Sequence, residues 1–450
     1  MNPPPSPADA SAFLYWIRQA APYISSHRGK IFVVAIPGAM VDHDRFREIA
    51  RDLAILHSLG IDLVVVHGLR RQIDRQLIAK GHRPRYLHGV RITDDHALAA
   101  TREAAGSIRM AIESKLSSGI ANTPIPAGMR VRVSSGNFIT ARPLGIHEGV
   151  DFKNSGEVRR IDVEAIRQQL AGGAIVLVSP LGYSPTGHVF CLESRQVATS
   201  VAIETNAAKL VFLNDDPLLE DAQGRVLREI TLDEAKELAR IRSQRTSQSP
   251  ECSGIASRLQ HAIEACRRGV QRVHLVNPRI DGALLLELLT RDGIGTMINA
   301  DNYDSIRQAT IDDVGGILDL IRPLEDSGVL VKRAREKIET EIPRFNIIER
   351  DGTVIGCAAI YPYPEEALAE LACLAVHDAY RRNRNGERLL ALVEKKAKRA
   401  GATRIFVLTT RTGQWFEERG FVESDRSSLP REKQSLYNDQ RGSRVLIKDL

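Results

Sequence analysis

The feature that most narrows the fold of this 450-residue chain is an alternation of short, unbroken apolar runs with stretches of helical periodicity, beginning at residue 30. Residues 31–36 read IFVVAI and 62–67 read DLVVVH. Apolar runs of this length with no polar face suit strands buried on both sides. Residues 44–59 and the stretch opening at 73–79 instead space their apolar side chains as a helix with one buried face does. The pattern resumes with strands expected at 130–134, 138–142, 174–178, 210–213 and 273–276, and helices at 163–170, 197–209, 232–242 and 255–266. Such alternation predicts an α/β domain, a three-layer αβα arrangement around a mainly parallel sheet, spanning 27–296.

The order then changes. Residues 297–304, MINADNYD, read as a linker. From 305 to 450 the expected elements are a short strand, two helices, a hairpin turning at Asp351-Gly352, a further strand, a helix, a strand, a short helix and a last strand at 445–448, an α+β domain. At the other end, residues 1–26 form an arm: MNPPPSPADA is too proline-rich to order, and an apolar helix at 11–21 ends at Pro22. That helix needs a surface to cover, in its own domain or on a second subunit.

Chemistry concentrates at 368–390, LAELACLAVHDAYRRNRNGERLL. Glu370 is the one charge in an apolar strand, and burying a carboxylate there is costly unless it has a partner or a task. Arg381, Arg382 and Arg384 follow, then Gly386 and a helix from Glu387 with leucines and valine at helical spacing. Free backbone N–H groups at a helix start, preceded by arginines, suit an anion. Net charge is only +6, from 62 basic and 56 acidic residues, so a local patch for an anionic cofactor is expected, and nucleic acid is not. The five cysteines form no C-x-x-C pair and lie near no histidines at metal spacing, so reduced thiols, no metal and a cytoplasmic setting are expected. No apolar run is long enough for a membrane span.

Arg381-x-x-Arg384-x-Gly386 after a strand resembles the pyrophosphate loop of the GNAT acetyltransferases, with Arg384 standing where that family usually has its first glycine. The turns Pro37-Gly38-Ala39 and His67-Gly68-Leu69, with the ending Asp292-Gly293-Ile294-Gly295-Thr296, resemble the amino-acid kinase fold in its acetylglutamate-kinase branch. Active kinases of that fold bring a lysine and two glycines to ATP; Ala35, Pro37 and Gly38 stand there in this chain. Alanine offers no charge and proline no N–H, so loss of phosphoryl transfer is expected. The two halves in this order, with IRPLEDSGVLVKRAREKIE, ELACLAV, LTTRTGQWFEERGF and YNDQRGSRVL, resemble the bacterial N-acetylglutamate synthases.

That resemblance implies acetyl transfer from acetyl-CoA to L-glutamate, with L-arginine as inhibitor and a homo-hexamer as the assembly. Glu370 would be the general base and Thr409 the acid. Glutamate would be held by Arg333, Arg441, Ser443 and the backbone at Cys373. Acetyl-CoA would lie on Leu374, Ala375, Val376, Arg381, Arg382, Arg384, Gly386 and Glu387. Arginine would bind Tyr23, Lys209, Glu287, Gly293 and Gly295. Independently of the resemblance, two guanidiniums suit a dicarboxylate acceptor. A base inside an apolar strand is useful if its surroundings raise its pKa, and a bulge near Cys373 would free N–H groups for a thioester oxygen.

Overall fold

A computed structural model describes residues 7–117, 131–214, 219–220, 226–244, 250–299, 305–350, 352–378, 380, 384–435 and 442–450. The chain divides into two compact units, Met1–Asp301 and Asn302–Leu450.

The first unit is built on an eight-stranded sheet in the order Glu229–Thr231, Thr296–Asn299, Arg272–Val276, Lys209–Leu213, Ile31–Ile36, Asp62–His67, Ala174–Val178, Arg132–Ser135. All neighbours run parallel except Arg272–Val276 against Thr296–Asn299. Alternation along the central strands sends Val33 and Ala35 into one core layer and Phe32, Val34 and Ile36 into the other. Both faces are therefore covered, which is why these runs carry no polar stripe. A four-stranded sheet, Val189–Cys191, Leu181–Tyr183, Ile139–Pro143, Gly156–Ile161, flanks it. The turns after the first two strands interlock: Gly68 N–H donates to the Ile36 carbonyl at 2.8 Å, and a Cβ on Gly38 would lie 2.5 Å from the Gly68 oxygen.

Four expectations fail here. Residues 297–299, expected to open the linker, belong to the strand Thr296–Asn299, and the helix expected at 197–209 is Ser194–Glu204, with Lys209 opening the next strand. The N-terminal helix is Pro7–His27 and carries Pro22 inside it, starting earlier and ending later than the composition suggests. A 23-residue helix, Asp95–Ser117, is absent from the sequence reading: the first half of its buried face is mostly alanine (Ala97, Ala100, Ala104 and Ala105), and the larger Ile108, Ile112 and Leu116 come only after it.

The second unit holds a seven-stranded sheet, Ser305–Gln308, Phe345–Arg350, Thr353–Tyr363, Leu368–Val376, Arg404–Thr409, Arg444–Asp449, Val422–Ser424. Only the pair Leu368–Val376 and Arg404–Thr409 is parallel, and it pairs only over Leu368–Glu370 against Arg404–Phe406. Beyond Glu370 the two strands part. The helix Asn385–Arg399 packs Leu389, Leu390 and Val393 into the core beside them, with Leu374 and Val376 against it.

Candidate functional site

The diverging strands deliver most of the chemistry expected of the second unit. Glu370 is the last residue of the paired segment and is 5 % exposed. Its surroundings differ from the apolar setting expected: Lys433 Nζ lies 2.8 Å from Glu370 Oε2, and Tyr363 Oη donates to the same oxygen at 3.5 Å. An ammonium at that distance offsets much of the cost of burying the carboxylate.

Three residues on, the strand bulges. Its pairing with Thr353–Tyr363 slips between Ala372 and Ala375, and Cys373 has φ +53°. The extra residue breaks the ladder, as a bulge must. Cys373 is buried, and Cys357 Sγ on the neighbouring strand donates to its carbonyl at 3.4 Å. Arg333 converges on the same spot. Burial works against its charge, but Cys373, Tyr361 and Glu370 around it more than compensate, so its pKa lies above the ordinary arginine value. Tyr361 in turn donates to Glu341 Oε2 at 2.6 Å and is pushed up, mostly by burial.

On the far side of the opening, Thr409 ends its strand, 7 % exposed, with its Oγ1 2.8 Å from Thr412 Oγ1 and accepting the Thr412 N–H at 3.1 Å. The helix that follows brings Trp415, over whose ring the Arg419 guanidinium stacks at 4.0 Å. Arg419 also donates to Glu387 Oε1 at 2.7 Å, and Arg384 Nε donates to Glu387 Oε2 at 2.6 Å. Arg384 sits at φ +56° as the N-cap of Asn385–Arg399 and offers no side-chain cap. It thus adopts the left-handed conformation a glycine takes freely, leaving the first-turn N–H groups for a ligand. At Gly386 a Cβ would lie 3.2 Å from the Trp415 ring, a tight contact that the ring would have to ease. Leu374, Ala375 and Val376 line the unpaired side of the bulged strand. Ser443 is half-buried just before the strand Arg444–Asp449; Arg381, Arg382 and Arg441 lie outside the described residues.

In the first unit, Glu287 is 6 % exposed and accepts at both of its oxygens. His274 Nδ1 donates to Glu287 Oε1 at 2.6 Å, and the N–H groups of Ile294 and Gly295 donate to Oε2 at 2.7 Å each. Burial pushes this carboxyl up, but His274 and the two N–H groups outweigh it and hold it at about 2. Burial and the Lys209 charge keep His274 below the usual histidine range. Lys209 Nζ lies 3.4 Å from His274 Nε2, so a neutral imidazole protonated on Nδ1 links lysine to carboxylate. Gly293, at φ +55°, and Gly295 have no room for a side chain: a Cβ would lie 2.4 Å from Glu287 Oε2 and 2.3 Å from the Leu275 oxygen respectively. Tyr23 reaches this cluster through His27, whose ring stands 6.1 Å from it and 5.1 Å from Phe32, with Lys209 Nζ 5.8 Å from the Phe32 ring. Sequence reasoning missed His274, Lys433, Tyr361 and Tyr363. The alternation of tyrosines in YPY and a histidine inside the strand 272–276 were the only signals available.

Beside the turns after the first two strands lies a cavity of about 690 Å³, lined by Ala35, Pro37, Gly38, Gly68, Arg70 and Arg195 among others.

Two family models match the chain: the amino acid kinase family over residues 30–277 and the acetyltransferase (GNAT) family over 317–421. The amino-acid acetyltransferase of Escherichia coli is 47% identical over 433 residues, covering 96% of this chain and 97% of that one. That of Azotobacter vinelandii is 48% identical over 441 residues, covering 97% and 99%. The chain belongs to the amino-acid acetyltransferase family. Among solved structures, N-acetylglutamate synthase from Neisseria gonorrhoeae complexed with coenzyme A and L-arginine matches with a TM-score of 0.86 at 38% identity, covering 97% of this chain and 99% of that one. The same enzyme complexed with coenzyme A and N-acetyl-glutamate matches at a TM-score of 0.61. As a member of this family the chain is an acyltransferase, built from an amino-acid-kinase unit and a GNAT unit. The GNAT match takes in Arg333, Glu370, the bulge and Thr409, but ends before Lys433 and Ser443.

Proposed function

We propose that the chain transfers the acetyl group of acetyl-CoA to the α-amine of L-glutamate, the first step of L-arginine biosynthesis, and that L-arginine bound to the kinase-like unit inhibits it. The observation that carries the transfer half is the buried Glu370 beside Arg333 and the Cys373 bulge, at the mouth of two diverging strands. The thioester supplies an activated acyl group. Glu370 takes the proton from the incoming ammonium, directly or through a water. N–H groups released at Cys373 and Leu374 face the acyl oxygen and stabilise the charge it gains. The Thr409 hydroxyl donates to the departing sulfur. Arg333, Arg441 and Ser443 grip the two carboxylates of glutamate. Arg381, Arg382, Arg384, Gly386, Glu387 and the helix start behind them hold the phosphates, and residues 374–376 hold the chain between phosphates and sulfur.

Glu287 supports the regulatory half. A carboxylate has about four acceptor sites, so its three bonds here leave one for a guanidinium or ammonium. Tyr23, Lys209 and the Gly293 and Gly295 backbone complete that site. We divide the roles between the two units: an arm at 1–26, effector binding in the unit whose last described strand ends at Asn299, and transfer in 305–450. No helix among the described residues is long and apolar enough to cross a membrane; a cytoplasmic homo-hexamer fits the reading, and native mass measurement tests the assembly.

The test is an assay of thiol release from acetyl-CoA with glutamate, with and without arginine. Release that depends on glutamate and falls with arginine is expected. Absence of release removes the enzyme reading and leaves an arginine sensor that only binds CoA; release indifferent to arginine removes the regulation. Phosphorylation of acetylglutamate by ATP would instead make the chain a bifunctional synthase-kinase, against the loss expected from Ala35 and Pro37.

A further inference from the structure

The buried base is already paired with a cation, and the cation belongs to the chain. Lys433 Nζ and the Tyr363 hydroxyl both address Glu370 Oε2, at 2.8 and 3.5 Å. An amino-acid substrate arrives as an ammonium, and where Glu370 acts directly it brings its nitrogen within hydrogen-bond reach of the same carboxylate to lose its proton. Two ammonium groups on one carboxylate repel each other even when each takes its own oxygen. Removing Lys433 with nothing in its place would leave a buried, unpaired carboxylate, which is costly. Exchange of one ammonium for the other keeps the charge paired at every stage.

The local structure permits that exchange. Lys433 lies on the short helix Arg431–Ser435, whose backbone is anchored by Arg431 N–H to Glu366 Oε1 at 3.4 Å, and whose Gln434 Nε2 donates to the Leu429 carbonyl at 2.7 Å. Its side chain is 28 % exposed, so the ammonium reaches water by rotating about its own flexible stem, with the helix in place. The Tyr361 ring, 5.9 Å from Nζ, is the other surface it leaves.

We infer that Lys433 is a place-holding cation: it neutralises Glu370 in the empty acceptor site and yields that seat to the substrate's ammonium. The inference rests on Glu370 being the base. It makes Lys433 a positioning residue and a competitor of the substrate, and it favours acceptors that carry a positive amine over neutral ones.

Other charged and titratable groups facing Glu370 are Arg333, from the loop before the helix Arg335–Glu341, and Tyr361 and Tyr363, from the adjacent strand; Glu432 stands near Tyr363. None of them is altered by the test. Initial rates of the full chain, at saturating acetyl-CoA and varied glutamate, are measured for the wild type, Lys433→Met, Lys433→Gln, Lys433→Arg and Glu370→Gln. With the competitor gone, KM for glutamate falls roughly threefold to tenfold in Lys433→Met and in Lys433→Gln. It rises in Lys433→Arg, whose guanidinium is harder to displace. kcat changes less than KM, because the occupied site holds the substrate's ammonium on Glu370 with or without Lys433. A raised or unchanged KM in the Met and Gln variants overturns the inference. Glu370→Gln separates the two readings. If it keeps the rate, Glu370 is not the base; if it loses the rate while the Lys433 variants match the wild type, only the inference about Lys433 fails.

Discussion

Asp52, on the helix Phe46–Ser58, is a carboxyl group held where a neutral one fits better. It is 7 % exposed; burial, then the charge of Asp281, push it up to about 7, against a bond from the Leu284 N–H. For an acid raised in the folded state, its stabilising contribution is complete below the unfolded value of 3.8 and is lost as pH rises through about 7. Asp52→Asn keeps an oxygen to accept from Leu284 and removes the titration. We expect variant and wild type to unfold at similar urea concentrations at pH 4 and the variant to be more stable at pH 8 by on the order of 2 kcal/mol. Parallel stability curves for the two proteins would show that Asp52 is ionised at no cost. The same scale explains why part of each site was hidden in the sequence. Glu370 announced itself as a lone charge in an apolar strand. Lys433, in SSLPREKQSLYN, is one polar residue among many, and only folding puts its nitrogen beside that charge.

Among the elements, two glycines of the first unit carry predictions of opposite sign. Gly38→Ala sets a Cβ 2.5 Å from both the Gly68 oxygen and Gln72 Oε1. Backbone cannot give way there as a flexible side chain would, so a loss of about 2–4 kcal/mol is expected. Gly106, inside the helix Asp95–Ser117, has open space where an alanine methyl would stand, with nothing within 4 Å, and Gly106→Ala gains about 0.5–1 kcal/mol. Urea midpoints of the two variants decide both signs. The elements also show what a sequence discloses. The strands Ile31–Ile36, Asp62–His67 and Leu368–Val376 were legible because continuous apolar runs have few other uses. The helix Asp95–Ser117 was not, since the alanines over the first half of its buried face carry little periodic signal. The strands Leu181–Tyr183 and Val189–Cys191 are too short for alternation to register. The bulge at Cys373 could be hoped for but not read, because it depends on the register of the neighbouring strand.

For the molecule as a whole, the two candidate sites occupy different units, Glu287 in Met1–Asp301 and Glu370 in Asn302–Leu450. Their losses should therefore separate. Glu287→Gln removes a charge that an arginine guanidinium would meet, and it should leave acetyl transfer running while the arginine effect disappears. Glu370→Gln should cut turnover by roughly a hundredfold or more and still bind arginine, read as a rise in melting temperature on adding it. Loss of both properties in either variant would mean that the sites are not independent. Ala35 packs with Val66 and Phe212 at the end of the central strand, Pro37 caps the next short helix, and Gly38 is locked against Gly68. A lysine placed at 35 alone would still find Pro37 without an N–H and Gly38 without room to shift, so no single substitution there assembles a phosphate cradle, and the turn resists change one residue at a time.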